Sequence, residues 1–392
     1  MFKIRTYNKI SVSGTSRLPQ GRYEIGDNVD APDAILVRSA DLHKIPVNPE
    51  LKAVARAGAG TNNVPVTELS KRGVVVFNAP GANANAVKEL VLAGMLMAVR
   101  NLREATEFVR SLDPADPALE HKVEDGKKRF VGSEVVGRTL GVVGLGAIGV
   151  RVANAAKGIG MRVIGFDPHM TVEGAWQLSS DVDKAGSLGE ILAAADFISL
   201  HVPLNAATKG TINAAALANA KDGLVLLNFS REGVVDEAAV LAALGANKLG
   251  HYVCDFPSAA INGHAKVIAL PHLGASTREA EENCAVMVVD QLRDYLEHGN
   301  VSNAVNFPAV SMARESAYRV AIANANVPNM LGQISTAMAT AGLNIHNMVN
   351  KSRGEMAYTL VDVDSAVAEP VLDSLRKIDG VLSVRYLPQQ PG

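Results

Sequence analysis

The chain has 392 residues, with 38 Lys and Arg against 40 Asp and Glu and a formal net charge of −2. That length accommodates two or three domains with separate cores, and the near balance of charge, without a basic block, gives no support for a nucleic-acid partner. The longest apolar helical run, Leu90 to Val99, is too short to span a bilayer. The opening MFKIRTYNKI lacks the apolar stretch of a signal peptide, and Cys254 and Cys284 each sit inside an apolar segment. They read as core thiols of a cytoplasmic protein, with no metal-ligand cluster.

The first third carries FKIRTY, AILVRS, LKAVARAG and GVVVFNAP, separated by loop and helical pieces, which predicts a small α/β unit. One long helical segment is expected from Ala84 to Ser111, followed by a proline-broken, charged surface connection over 111–128. From Thr139 onward, TLGVV, RVIGF, DFISLHV, GLVLLNF, HYVCDF and KVIAL alternate with alanine-rich helical stretches. Continuous apolarity without alternation is the mark of parallel strands covered on both faces, so a doubly wound, Rossmann-type parallel sheet is predicted. Ser276-Thr-Arg-Glu279 matches a capping box and is expected to open a second long helix reaching about His298. After a looser stretch, residues 318–392 read strand, helix, strand, strand, helix, strand, a ferredoxin-like βαββαβ unit.

Gly144-Leu-Gly146-Ala147-Ile148-Gly149 fits G-x-G-x-x-G between a strand and a helix. The first glycine permits the turn, the second lets a pyrophosphate approach the backbone, and the third lets helix and strand pack closely. Asp167, ending the next strand, stands where a carboxylate accepts hydrogen bonds from a ribose and repels a 2′-phosphate, so NAD is expected rather than NADP. In an open parallel sheet, ligands bind beyond the carboxyl ends of the strands. Those ends hold His201, Asn228-Phe-Ser-Arg231, Cys254-Asp255 and Pro271-His272-Leu-Gly274; in the first third they hold Arg38-Ser39, Arg56-Ala-Gly58 and Asn78-Ala-Pro-Gly81. Arginines, histidines and a nicotinamide cofactor suggest hydride transfer at a hydroxyl-bearing carbon of an anionic substrate.

"NFSREGVVDEAAVLAAL", with "LPHLGAST" downstream and "VVGLGAIG" upstream, resembles the NAD-dependent D-2-hydroxyacid dehydrogenases. "AILVRSA", "AVARAGAGTNNV" and the βαββαβ tail narrow the likeness to the branch oxidising 3-phospho-D-glycerate, the first step of L-serine synthesis. The resemblance implies a discontinuous flavodoxin-like substrate-binding domain (1–95 and a return segment, 276–305), an NAD-binding domain (96–275) and an ACT regulatory domain (318–392). It also implies an active site in the cleft between lobes. His272 would be the acid/base and Arg231 the carboxylate clamp. Cofactor contacts would come from Gly144, Gly146, Ala147, Ile148, Gly149, Asp167, His201, Val202, Pro203, Phe229, Ser230, Arg231, Asp255, His272, Gly274 and Ala275. Arg38, Ser39, Arg56, Gly81 and Asn83 would hold the substrate.

One departure stands out. Most members of the family place a glutamate beside the catalytic histidine, and the matching position here is Ala260; Asp255 or another acid is left to substitute for it. In the tail, Asn324, Asn326 and Asn344 resemble an ACT ligand loop, implying L-serine as effector and a homodimer or homotetramer. Two other readings remain open on the residues: a reductase for another D-2-hydroxy acid such as glyoxylate or hydroxypyruvate, and a non-catalytic NAD-sensing protein akin to the corepressors of this fold.

Overall fold

The computed structural model, which describes residues 1–46 and 48–389, divides the chain between 83 and 84 and again between 277 and 278. The first unit combines 1–83 with 278–392; the second is 84–277. The first unit begins with five strands: β1 (Phe2–Tyr7), β2 (Tyr23–Gly26), β3 (Ala34–Val37), β4 (Ala53–Arg56) and β5 (Val75–Phe77). They pair in parallel in the order β2-β1-β3-β4-β5, the flavodoxin-like arrangement. The helix Arg278–His298 lays Val288, Leu292, Tyr295 and Leu296 into the core with Ile4, Leu36, Ala55 and Phe77. β2 was not anticipated: YEIG is short and buries Tyr23 alone on its inner face, too little pattern to read as a strand.

The second unit holds seven parallel strands: β6 (Thr139–Val143), β7 (Arg162–Phe166), β8 (Asp183–Lys184), β9 (Phe197–Leu200), β10 (Leu224–Asn228), β11 (Leu249–Cys254) and β12 (Val267–Ala269). Their order, β12-β11-β10-β9-β6-β7-β8, reverses direction between β6 and β9, the switch point where a doubly wound sheet opens its ligand crevice. The six apolar runs are all strands. β8 adds a seventh from two exposed, charged residues that carry no strand signal.

Two expectations about helices need correction. The predicted single helix over 84–111 is two, Ala84–Val99 and Leu102–Arg110, because Asn101 between them takes a left-handed conformation at φ 51°. The first of these buries Val87, Val91 and Met95 in the core of the seven-stranded sheet, so the first segment of the first unit ends at Asn83 rather than at 95. The capped helix also starts late, at Arg278, because the Ser276 amide is spent in a turn on the Leu273 carbonyl.

The first unit closes with an antiparallel sheet of β13 (Tyr318–Ala325), β14 (Ile345–Arg353), β15 (Met356–Val363) and β16 (Val381–Pro388), ordered β14-β15-β13-β16. The helices Met330–Thr340 and Glu369–Arg376 bury Met330, Ile334, Met338, Leu372 and Leu375 against one face, which completes the βαββαβ pattern. Its other face is tied to the helix Arg278–His298. Arg319, fully buried, pairs with Asp362 at 2.6 Å and donates to the carbonyls of His298, Met312 and Ala313. The Tyr358 hydroxyl donates to the Gly299 carbonyl.

Candidate active site at the carboxyl edge of the seven-stranded sheet

The glycine loop leaves β6 with Gly144 at φ 90°, a conformation that side-chain-bearing residues avoid. A Cβ on Gly149 would stand 1.9 Å from the Gly144 carbonyl oxygen, so no side chain fits there. Gly146 is the opposite case: nothing lies within 4 Å of where its Cβ would be. Its exposed backbone opens the helix Ala147–Gly158, which has no side-chain cap, leaving the first amides, those of Ala147 and Ile148 included, available to an anion. Asp167 at the end of β7 accepts from the Leu145 amide through Oδ2 and from the His169 amide through Oδ1, both at 2.8 Å. These bonds fix the carboxylate beside the loop, and each oxygen keeps a further lone pair for a hydroxyl. Crowding at Gly149, space at Gly146 and an anchored carboxylate fit a dinucleotide with free ribose hydroxyls.

His201 follows β9. Its Nε2 lies 2.8 Å from the Ser199 hydroxyl, and its Nδ1 is buried without a partner among the described residues. Burial pushes its pKa down to about 3, so the imidazole is neutral. A Cβ on Gly144 would meet the His201 carbonyl at 2.7 Å and Val202 at 3.0 Å, which places 201–203 against the glycine loop.

After β10, Asn228 organises the next loop. Fully buried, it donates to the Arg231 carbonyl at 3.0 Å and accepts from the amide and hydroxyl of Ser230 at 3.2 and 2.8 Å. Ser230 thereby spends its hydroxyl on the scaffold. Phe229 turns its ring into the core against Gly94, so only its backbone faces the loop. Arg231 stays exposed, with Nη1 donating to the Ser230 carbonyl at 2.6 Å. The sequence places Asn228 at this strand end but gives it no role; an asparagine ending an otherwise apolar strand was the signal for one.

Asp255 after β11 is buried, and its oxygens accept from the amides of Leu273 and Gly274, each at 2.7 Å. Burial pushes its pKa up, opposed by those two amides and by the neighbouring His272. The clamp holds a turn in which His272 adopts φ 56°, rare for a residue with a side chain. The exposed His272 ring lies 5.1 Å from the Phe256 ring, tilted by 59°. Ala260 is exposed and supplies no acid; Asp255 fixes the turn that carries His272 through the Leu273 and Gly274 amides. Gly274 is buried and Ala275 exposed at the turn's end.

In the first unit, Arg38, Ser39 and Arg56 come together at the carboxyl ends of β3 and β4. Arg56 Nε donates to the Arg38 carbonyl at 3.0 Å, and its guanidinium lies across Gly58, where any Cβ would collide. Asn8 Oδ1 accepts from the amides of Ser39 and Ala40. The Asn78 side chain donates through Nδ2 to the Ala59 carbonyl, which sets the loop running on to Gly81, at φ 77°, and Asn83 beside that edge. Arg38 is ion-paired with Glu281 at 2.6 Å, a partner 243 positions away that local sequence does not reveal. In the antiparallel sheet, Asn324 is buried with Oδ1 unpartnered among the described residues, and Asn326 donates to Gly354 at the same sheet end. Asn344 does not join them: it precedes β14, whose start pairs with Val363 beside Tyr318, at the opposite end of β13. Among the described residues there is no metal-ligand cluster, and no helix is long and apolar enough to cross a membrane.

Residues 92–274 match the D-isomer-specific 2-hydroxyacid dehydrogenase NAD-binding domain. The chain belongs to the D-isomer-specific 2-hydroxyacid dehydrogenase family. Among its relatives, the D-3-phosphoglycerate dehydrogenase of Haemophilus influenzae is 34% identical over 351 residues, covering 86% of this chain and 82% of that one. The enzyme of the same name from Bacillus subtilis is 34% identical over 331 residues, or 79% of this chain and 60% of its own; for that of Synechocystis the figures are 37%, 74% and 51%. The match therefore spans only about half to three-fifths of those two relatives. An NAD+-bound 3-phosphoglycerate dehydrogenase from Entamoeba histolytica superimposes with a TM-score of 0.61 at 25% identity, over 78% of this chain and 98% of that one.

Proposed function

We propose that the chain oxidises 3-phospho-D-glycerate to 3-phosphohydroxypyruvate with NAD+, the entry step to L-serine. The observation that carries this is the Asp255 clamp, which sets His272 in a strained turn at the same sheet edge as Arg231 and the glycine loop. Gly146, Ala147, Ile148 and Asp167 would hold NAD+, which would supply the hydride acceptor. His272 Nε2 or Nδ1 takes the C2 hydroxyl proton and returns it in the reverse direction, a role suited to imidazole near neutral pH. Arg231 binds the carboxylate and polarises the C2 oxygen with its planar guanidinium. Arg38 and Arg56, with Ser39 and the backbone from Gly81 to Asn83, hold the phosphate.

The reaction is tested by NADH formation from 3-phosphoglycerate, with the keto product removed, compared with unphosphorylated D-glycerate; equal turnover on both sinks the phosphate assignment. A second reading, a reductase for an unphosphorylated D-2-hydroxy acid, draws on the Arg38–Glu281 pair, which already occupies one of the phosphate cations. The buried, unpartnered Asn324 Oδ1 supports an ACT-type ligand site, with L-serine as effector and a homo-oligomer as its setting. Calorimetric titration with serine decides it; no heat at millimolar serine removes the effector.

A further inference from the structure

A cavity of about 570 Å³ lies inside the first unit, away from the arginines of β3 and β4. Its walls come from three places: the parallel sheet, the end of the helix Arg278–His298, and the C-terminal module through β16 and the helix Glu369–Arg376. Leu296, Leu372, Val384 and Leu387 make its buried apolar part. Its size is in the range of sites for small organic ligands.

The charge around it is lopsided. Five cations line it, Arg22, Lys52, Arg314, Arg376 and Arg385, against the carboxylates Glu297 and Glu369. Lys52 is paired with Asp33 and Arg376 with Glu369 and Asp373, so Arg22, Arg314 and Arg385 are the cations without a carboxylate partner among the described residues. Two of those guanidiniums are held by carbonyls rather than by acids. Arg385, buried, donates to the carbonyls of Tyr295 and Leu296 and lies 4.3 Å from the Tyr295 ring centroid. Arg314 donates to the carbonyls of Ser316, Ala317, Glu297 and Leu387. Carbonyls satisfy the N–H groups but leave the formal charge in place. Burial and the nearby Arg319 accordingly push the Arg314 pKa down. Arg22 has no ion pair among the described residues, and Glu297 is already engaged by the Tyr23 hydroxyl and Arg293.

We propose that this cavity is a binding site for a small multivalent organic anion, phosphorylated or polycarboxylate, gripped by Arg22 and Arg376 in the field of Arg314 and Arg385. An occupant bridges the C-terminal module to the parallel sheet. It sits at Lys52, immediately before the strand that ends in Arg56, so occupancy is expected to alter the KM for substrate rather than the chemistry.

Calorimetric and thermal-shift titrations of the full chain, at matched ionic strength, test this with pyrophosphate for the phosphate class and citrate for the polycarboxylate class. The expected result is saturable binding of at least one probe, weakened about tenfold or more by Arg22→Gln with Arg376→Gln. Removing an opposing carboxylate, Glu369→Gln, is expected to tighten it, and Arg38→Ala to leave it in place, which separates this cavity from the substrate arginines. The arginine variants keep their anion-free turnover. Absence of saturable binding by roughly millimolar probe, equal binding in wild type and double variant, or loss on Arg38→Ala alone each overturns the proposal.

Discussion

Two imidazoles of the second unit are held in opposite ways, and their contrast sets the first predictions. His272 is exposed on a turn whose amides belong to Asp255, so its ring is free to meet a substrate. Replacing it by Ala removes the proposed proton acceptor while leaving the clamp's backbone partners untouched, so turnover is expected to fall by roughly 10²–10⁴-fold with NAD+ affinity nearly unchanged. Single-turnover rates beside calorimetric NAD+ binding check this; a parallel loss of binding would mark His272 as scaffold. His201 has a buried, unpartnered Nδ1 among the described residues and is kept neutral by burial, with its pKa at about 3 against about 6.5 in an unfolded chain. Between those values the unfolded state binds the extra proton. The stabilising preference is therefore complete above about pH 6.5 and is lost as pH falls through that window, by up to about 1.4 kcal/mol per unit. In His201→Asn, the fall in urea-unfolding free energy from about pH 6.5 to about pH 5 is expected to be shallower than in wild type; identical slopes would contradict it. Asp167 is fixed beside the glycine loop, where the proposed dinucleotide would bring its ribose. Asp167→Ala is expected to raise relative kcat/KM for NADP+ by lifting the repulsion of a 2′-phosphate.

At the scale of elements, the close approaches are made by glycines. The helix Ala84–Val99 comes so near the sheet that a Cβ on Gly94 would stand 2.8 Å from Val253 and 3.3 Å from the Phe229 ring. Alanine is the better helix former by about 1 kcal/mol, yet the two neighbours are locked in the core, and overpacking costs about 1–3 kcal/mol. Gly94→Ala is thus expected to destabilise the second unit. Because Val253 and Phe229 flank Asp255 and Ser230 in sequence, it is also expected to lower kcat; a stabilised, fully active variant would show that the helix slides freely. How much of this could be read in advance follows from the range of each interaction. The six long apolar strands and the βαββαβ tail announce themselves through local periodicity, and the glycine loop through the strand and helix around it. β8 lacks any apolar residue, Asn101 breaks a helix with a residue that other helices tolerate, and the Ser276 box fails because an earlier turn claims its amide. The Asp255 clamp and the Arg38–Glu281 pair join residues far apart in the chain, and nothing local encodes them.

At the scale of the molecule, the C-terminal module is joined to the parallel sheet's long helix by charge as well as by packing. Arg319 and Asp362 are both fully buried, and the guanidinium also satisfies three carbonyls at the helix end and the strand entry. An ion pair so deep adds little net stability over an apolar pair of similar volume, but removing one partner strands the other charge at a cost of about 3–5 kcal/mol. Arg319→Met is therefore expected to destabilise the first unit by that amount, and Arg319→Met with Asp362→Leu to recover much of it. The three carbonyls remain unsatisfied in both variants, so recovery stays incomplete. The informative readout is where protection is lost. Arg319 ties Asp362 on β15 to the end of the helix Arg278–His298, so hydrogen exchange in the single variant is expected to rise in both the antiparallel sheet and the last turns of that helix. Exchange confined to the antiparallel sheet would mean that the remaining contacts, the Tyr358 and Arg385 hydrogen bonds and the packing of Leu360 and Leu387 among them, hold the module in place. The buried pair would then contribute orientation rather than cohesion.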